Sequence, residues 1–367
     1  MFDRRLAQFF DWGLLSLTIA IGGAGLVTLY SAVSSDGTPA QNPLFIKQLI
    51  WFGCGLVAMV VSFLFNYKAL ERWAYFIYSI SVGLLVWVLF FGKVVGGSRR
   101  WLSLGPVSLQ PSELVKIAVI IVLARVFAKI LTARGLTLRA LVQPMALTLI
   151  PFLLIVRQPD LGTAMVVALI AVSITMFVKI ERRTLMVLMS CCTLAVPMVW
   201  FLLKGYQKQR ILTFLNPDRD PLGAGYHIIQ SKIAIGSGML SGKGFLKGTQ
   251  NALAFLPEQH TDFIFSVLAE EWGLIGAGGL LLLFLFLILW ALNIAQHCRY
   301  PFGTILSVGD TAMIFWQVLI NVGMVMGLMP VVGVTLPFIS YGGSSIITMM
   351  LGIGLLLNVS MRRFLFE

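Results

Sequence analysis

Acids crowd one junction of this chain. In Phe255-Leu-Pro-Glu-Gln-His-Thr-Asp262-Phe-Ile-Phe-Ser-Val-Leu-Ala-Glu270-Glu271-Trp-Gly-Leu-Ile-Gly276 a polar loop runs into an apolar helix. Asp262 stands at the boundary, and Glu270 and Glu271 lie inside the apolar run. Ionised groups at membrane depth are costly, so acids placed there are candidates for chemistry by default. Asp262 suits a base at a lipid–water boundary. It equally suits a helix N-terminus, where a carboxylate complements the dipole. Asp262, Ser266 and Glu270 are spaced i, i+4, i+8 and are expected on one helical face. Such a stripe either lines a hydrophilic cleft or bonds between helices.

Other residues could join that chemistry. Glu113 and Lys116 open an apolar run in Gln110-Pro-Ser-Glu-Leu-Val-Lys116. At i, i+3 they can pair with each other, or Lys116 can face a phosphate. Arg99, Arg100 and Trp101 sit together between two apolar runs. Basic and aromatic residues commonly mark a membrane interface; as a site, Arg100 would grip a diphosphate and Trp101 would stack on a sugar. Asp160, after Pro159, reads first as a helix cap. Arg157, Arg210, Lys232 and Lys243 are further cations on the same side. His227 and His260 lack metal-ligand spacing. The four cysteines, Cys54, Cys191, Cys192 and Cys298, form no CxxC and read as small buried hydrophobes. There is no P-loop and no GxSxG, so a substrate must arrive already activated. A Mg2+ or Mn2+ carried on a diphosphate needs few protein ligands, and that cofactor stays open.

The elements that would position these residues are membrane spans. The chain has 367 residues, 58% apolar and 11% charged, against about 25% charged in soluble domains. The apolar residues fall in blocks of about 17–25, enough to cross about 30 Å of hydrocarbon. Ten spans are expected near 12–32, 45–65, 74–92, 112–131, 141–157, 161–178, 184–203, 263–294, 308–328 and 340–361. The fold class is therefore all-α and polytopic, with residues 1–367 one membrane domain. The net charge of +12 raises the question of nucleic acid. But the cations are scattered among connections, which suits orientation control and anionic lipid, not nucleic acid. With the N-terminus inside, 14 of the 27 lysines and arginines fall on the inner side, and seven of the rest share one long connection. Both termini are expected inside. That connection, 204–261, is too long for an idle loop and is expected to be extracytoplasmic. Tyr226–Ile235 within it reads as an amphipathic or re-entrant helix, with 228, 229 and 233 on its apolar face. The eighth span is overlong, about 48 Å as one helix, and Gly273, Gly276, Gly278 and Gly279 offer a bend. The inner halves of the spans read as apolar.

At this point the motifs resemble a known family. Arg100-Trp101, then Gln110-Pro-Ser-Glu113-Leu-Val-Lys116, then Gln158-Pro-Asp160-Leu-Gly-Thr163 occur in order. Asp220 to Gly238, Leu256-Pro-Glu258-Gln-His260-Thr-Asp262-Phe and Pro337-Phe-Ile-Ser340-Tyr-Gly-Gly343-Ser344 follow. The whole chain resembles the SEDS family (shape, elongation, division and sporulation), nearest its rod-shape branch. The resemblance implies a glycosyltransferase of the bacterial cytoplasmic membrane that polymerises lipid II on the extracytoplasmic face during cell-wall elongation. It puts the essential acid on Asp262. Substrate contacts are expected at Arg100, Trp101, Glu113, Lys116, Arg210, Lys243, Glu258, His260, Ser266 and Glu270. Implied partners are a class B penicillin-binding protein (a transpeptidase), the undecaprenyl diphosphate leaving group, and other elongation-complex membrane proteins. A flippase for lipid II is the competing expectation; it would need polar residues spread through the bilayer depth.

Overall fold

The computed structural model describes residues 9–33, 42–95, 98–104, 107–131, 135–202, 205–216, 223–253 and 259–362. Local signals start several helices. Asp11 Oδ1 accepts from Leu14 N at 3.2 Å and caps α1 (Trp12–Ala32). Asn42 and Asn66 cap α2 (Pro43–Leu64) and α3 (Tyr67–Phe91) in the same way. The bundle continues with α4 (Pro111–Ile130), α5 (Leu138–Arg157), α6 (Leu161–Phe177) and α7 (Arg182–Leu202). Three shorter helices follow: α8 (Gly205–Leu215), α9 (Ala224–Ser237) and α10 (Thr249–Ala252). Then come α11 (Ile264–His297), α12 (Pro301–Val325) and α13 (Gly343–Arg362). A long helix stands at each of the ten expected positions. Among the described residues seven are both long and apolar enough to cross a membrane.

Burial separates an inner group from an outer one. The apolar windows of α12 and α13 are 83% and 89% buried, against 22% for α2 and α5. Helix α4 is buried along nearly its whole length. The outer helices turn Leu49, Ile50, Trp87, Phe90, Leu149 and Leu153 outward, as lipid contact requires. The inner helices also carry polar side chains. Ser307, Asp310, Gln317 and Thr348 are fully buried. Ser307 and Asp310 fall in the first half of α12, the inner half in the expected topology, and so correct the expectation of apolar inner halves there.

Between α3 and α4 lies a feature the all-α reading did not include. Strands β1 (Lys93–Val95), β2 (Ser98–Leu104) and β3 (Val107–Leu109) form an antiparallel meander in that order. Lys93 pairs with Trp101, and Leu102 pairs with Leu109. Arg100 and Trp101 therefore stand on a hydrogen-bonded strand rather than in a free loop.

The long connection packs differently from its sequence pattern. Gly225, Ile228, Ser231 and Ala234 are the buried positions described in α9, while Ile233 is exposed. The expected face of 228, 229 and 233 is thus only partly used. Small side chains decide the contact: Ser231 Oγ reaches Val325 O at 2.6 Å and Ser266 Oγ at 3.2 Å.

Helix α11 breaks at Gly273, whose φ of 62° and ψ of −160° are not helical. In an unbroken helix the carbonyls of Glu270 and Glu271 would accept from Leu274 and Ile275. Here Lys243 N and Gly244 N donate to those carbonyls, each at 3.0 Å. Leu274 N and Ile275 N donate instead to Met239 O and Leu240 O, at 2.9 and 3.1 Å. The segment after α9 is laced into the broken ladder, and all four of these groups are paired. A Cβ on Gly242 would lie 2.1 Å from Glu271 O, and one on Gly273 would lie 2.4 Å from Gly242 N. Gly273→Ala is expected to cost about 1–3 kcal/mol, the scale of a side chain forced into disallowed backbone geometry. Gly278→Ala, where a Cβ meets nothing within 4 Å, is expected to leave stability equal or higher. Thermal unfolding of the two variants in detergent checks the contrast.

Candidate functional site

Four helix starts converge at one end of the bundle, those of α4, α6, α11 and α13. Each contributes residues at or just before its first turn to the lining of a cavity of about 400 Å³. Helix N-termini present unpaired N–H groups and the positive end of the dipole, which favours anions. Arg100 and Trp101 of β2 and Trp51 of α2 complete the wall, with Gly333 to Thr335 and Tyr341 from the segment between α12 and α13.

Four of the charged side chains in this wall form two pairs. Lys116 Nζ lies 2.7 Å from Glu113 Oε2, and both are buried. Asp160 caps α6 through Thr163 N at 3.3 Å and also accepts from Gln110 Nε2 at 3.0 Å. Arg100 approaches Asp160 to 3.9 Å and donates to the carbonyls of Gln158 and Pro159. These backbone anchors aim its guanidinium along the cavity wall. Burial pushes the Tyr341 phenol above its ordinary value.

Asp262 lies in the turn before α11, and its backbone is held from two sides. Asn321 Nδ2 of α12 donates to Asp262 O at 2.9 Å and to Val334 O at 2.7 Å. Ser340 Oγ donates to Thr261 O at 2.6 Å, and Tyr341 N donates to His260 O at 2.9 Å. Gly333, at φ 71°, leaves room on one side: a Cβ there would lie 3.3 Å from Asp262 Oδ2. The acid is thus presented to the cavity by three segments distant in sequence.

The structure gathers Arg100, Trp101, Glu113, Lys116 and Asp262 around this one cavity. His260 is adjacent, its ring 5.9 Å from that of Tyr341. The expected stripe of Asp262, Ser266 and Glu270 does not hold together, because α11 begins only at Ile264. Ser266 bonds to α9. Glu270 Oε1 accepts from Lys243 Nζ at 2.7 Å, Thr249 N at 2.8 Å and Gln250 N at 3.1 Å. Glu270 and Lys243 therefore pin the laced segment and the start of α10, away from the cavity. Glu271 accepts from Ser31 Oγ. Arg210 lies on α8 and does not line the cavity. Glu258 lies outside the described residues. Sequence reading did not single out Gly333 and Asn321. No local pattern marks either, since their roles come from contacts across the fold.

A multi-pass helical membrane protein with a polar cavity at one end of its bundle is the class that fold and site define. The chain belongs to the FtsW, RodA and SpoVE family, described as cell cycle proteins, whose profile matches residues 11–364; this is the SEDS family its motifs resemble. The peptidoglycan glycosyltransferase MrdB of Escherichia coli strain K12 is 46% identical over 337 residues, 91% of this chain and 90% of that one. The peptidoglycan glycosyltransferase RodA of Treponema pallidum is 33% identical, with 96% and 98% covered. A chain of a peptidoglycan synthase complex, described as coordinating polymerization and crosslinking, superposes with a TM-score of 0.82. It is 36% identical, with 97% of this chain and 98% of that one covered. The rod shape determining protein RodA of Thermus thermophilus gives 0.73 at 31% identity, with 97% and 98% covered.

The Glu113–Lys116 pair yields a prediction independent of activity. Lys116→Met leaves a buried carboxylate without its partner, a change that costs about 3–5 kcal/mol. Removing both charges, as Glu113→Gln with Lys116→Met, is expected to recover most of that loss. A thermal-unfolding double-mutant cycle measures the coupling.

Proposed function

We propose that this chain is a peptidoglycan glycosyltransferase that polymerises lipid II, with Asp262 as its general base. One observation carries the reading: Asp262 shares a cavity with two cations and four helix N-termini, a setting suited to a diphosphate-linked substrate. Asp262 takes the proton from the 4-hydroxyl of the acceptor sugar. The freed oxygen attacks the anomeric carbon of the donor and inverts it. The bond to the diphosphate breaks, and undecaprenyl diphosphate departs with the electron pair. Arg100 and the surrounding N–H groups offset the charge on that leaving group. Trp101 offers a stacking face for a sugar ring. A divalent ion fits here when it enters on the diphosphate. Among the described residues no group of three or more His, Cys, Asp or Glu side chains could hold one.

The cavity faces the extracytoplasmic side in this reading, with both termini in the cytoplasm, which places lipid II and the growing strand on the same face. The likeness to a chain of a synthase complex supports a class B penicillin-binding protein as partner, alongside other membrane proteins of elongation.

A base contributes typically 10²–10⁴-fold to such a step, so Asp262→Asn is expected to lower polymerisation by about that factor. The measurement is glycan-chain length and yield from lipid II, using purified protein with its transpeptidase partner. Unchanged chains from the variant would remove Asp262 from the mechanism.

A further inference from the structure

The bundle core holds a line of polar groups that do not line the cavity. Ser307, Asp310, Gln317 and Asn321 of α12 are each fully buried. Steps of three, seven and four residues keep them along one flank of the helix. Thr348 of α13, also fully buried, stands one turn from Gly352. A Cβ on Gly352 would lie 3.7 Å from Asp310 Oδ1, so Thr348 belongs to the same seam. Asp310 is nine residues into α12, roughly 14 Å along it, well inside the span.

Among the described residues these groups lack partners, the amide nitrogen of Asn321 excepted. Both carboxyl oxygens of Asp310, both side-chain polar atoms of Gln317, the hydroxyls of Ser307 and Thr348, and Asn321 Oδ1 make no hydrogen bond. The core charges on neighbouring helices are committed elsewhere: Lys116 to Glu113, Glu270 to Lys243, Glu271 to Ser31. Around the seam the packing is apolar, with Ile120 and Ile174 closing on Gly309. An ionised carboxylate in such surroundings is strongly disfavoured unless paired. Buried polar atoms in folded proteins are satisfied by protein or by ordered water.

We propose that Asp310 is a proton-binding site: a neutral carboxylic acid within a chain of water that runs along α12. Thr348 and Gln317 carry that chain toward Asn321, whose amide nitrogen holds the backbone of Asp262. A metal cation fits less well. It needs about six to eight oxygens at one point if it resembles calcium, whereas these groups are strung over about 21 Å of helix.

The test is infrared spectroscopy of the full-length protein in an ester-free detergent at neutral pH. The carbonyl stretch of a protonated carboxyl is expected in the wild type, shifted in D2O and lost in Asp310→Asn. A hydrophobic carbodiimide, which attacks protonated buried carboxyls, is expected to label Asp310, as mapped by mass spectrometry, with no effect of added NaCl. Absence of the wild-type band overturns the proposal, since Asp310 is then ionised. Suppression of labelling by NaCl also overturns it, in favour of a sodium site. Asparagine matches the neutral acid in shape; should that variant fail to fold, the D2O shift and the mapped label decide the question in wild-type protein.

Discussion

The break in α11 at Gly273 and its repair by the segment after α9 is the interaction on which the rest depends. A membrane helix cannot leave backbone groups unpaired in hydrocarbon. Here four groups lose their helical partners, and the backbone from Met239 to Gly244 satisfies all four. The repair works only because glycines at 242 and 273 let two backbones approach without a Cβ between them. Lys243 and Glu270 then tie the same segment by side chains. The first turns of α11, and with them the turn that bears Asp262, are therefore set by a loop as much as by the bundle.

Charge in the interior is handled by pairing, and pairing sorts the acids. Glu113, Asp160, Glu270 and Glu271 each hold a local structure together: a lysine, a helix cap, a laced segment, a serine of α1. The turn that bears Asp262 is held through its backbone, by Asn321 at Asp262 O, by Ser340 at Thr261 O and by Tyr341 at His260 O. Gly333 keeps one side clear for the carboxylate. The converging helix starts supply positive potential at the same end of the bundle, so the cavity suits an anion even with acids in its wall.

Much of the fold was legible because hydrocarbon imposes length. A run such as Trp12–Ala32 or Gly343–Arg362 is readable from composition, and Asp11, Asn42 and Asn66 mark starts in a local code. The meander was not legible. Ser98–Leu104 is short and polar, and its strands exist by pairing with Lys93–Val95 and Val107–Leu109 rather than by pattern. Nor was the packed face of α9, where Ser231 and Ala234 turn inward because small side chains let helices approach. Asp310 carried a readable signal, an acid inside an apolar run. Its lack of a partner became visible only in the packed core.

By itself the sequence determined the membrane class, the positions of the long helices, and the residues able to do chemistry. Those follow from side-chain type and from spacing along the chain, which are local properties. Only the tertiary structure decided which of those residues meet. It put Arg100, Glu113, Lys116 and Asp262 at one cavity and took Glu270 and Lys243 away from it. The physical reason is that i, i+4 spacing defines a face only where the helix is continuous. Here α11 starts after Asp262 and breaks again at Gly273, so contacts from α9, α12 and the segment before α13 set each acid's surroundings.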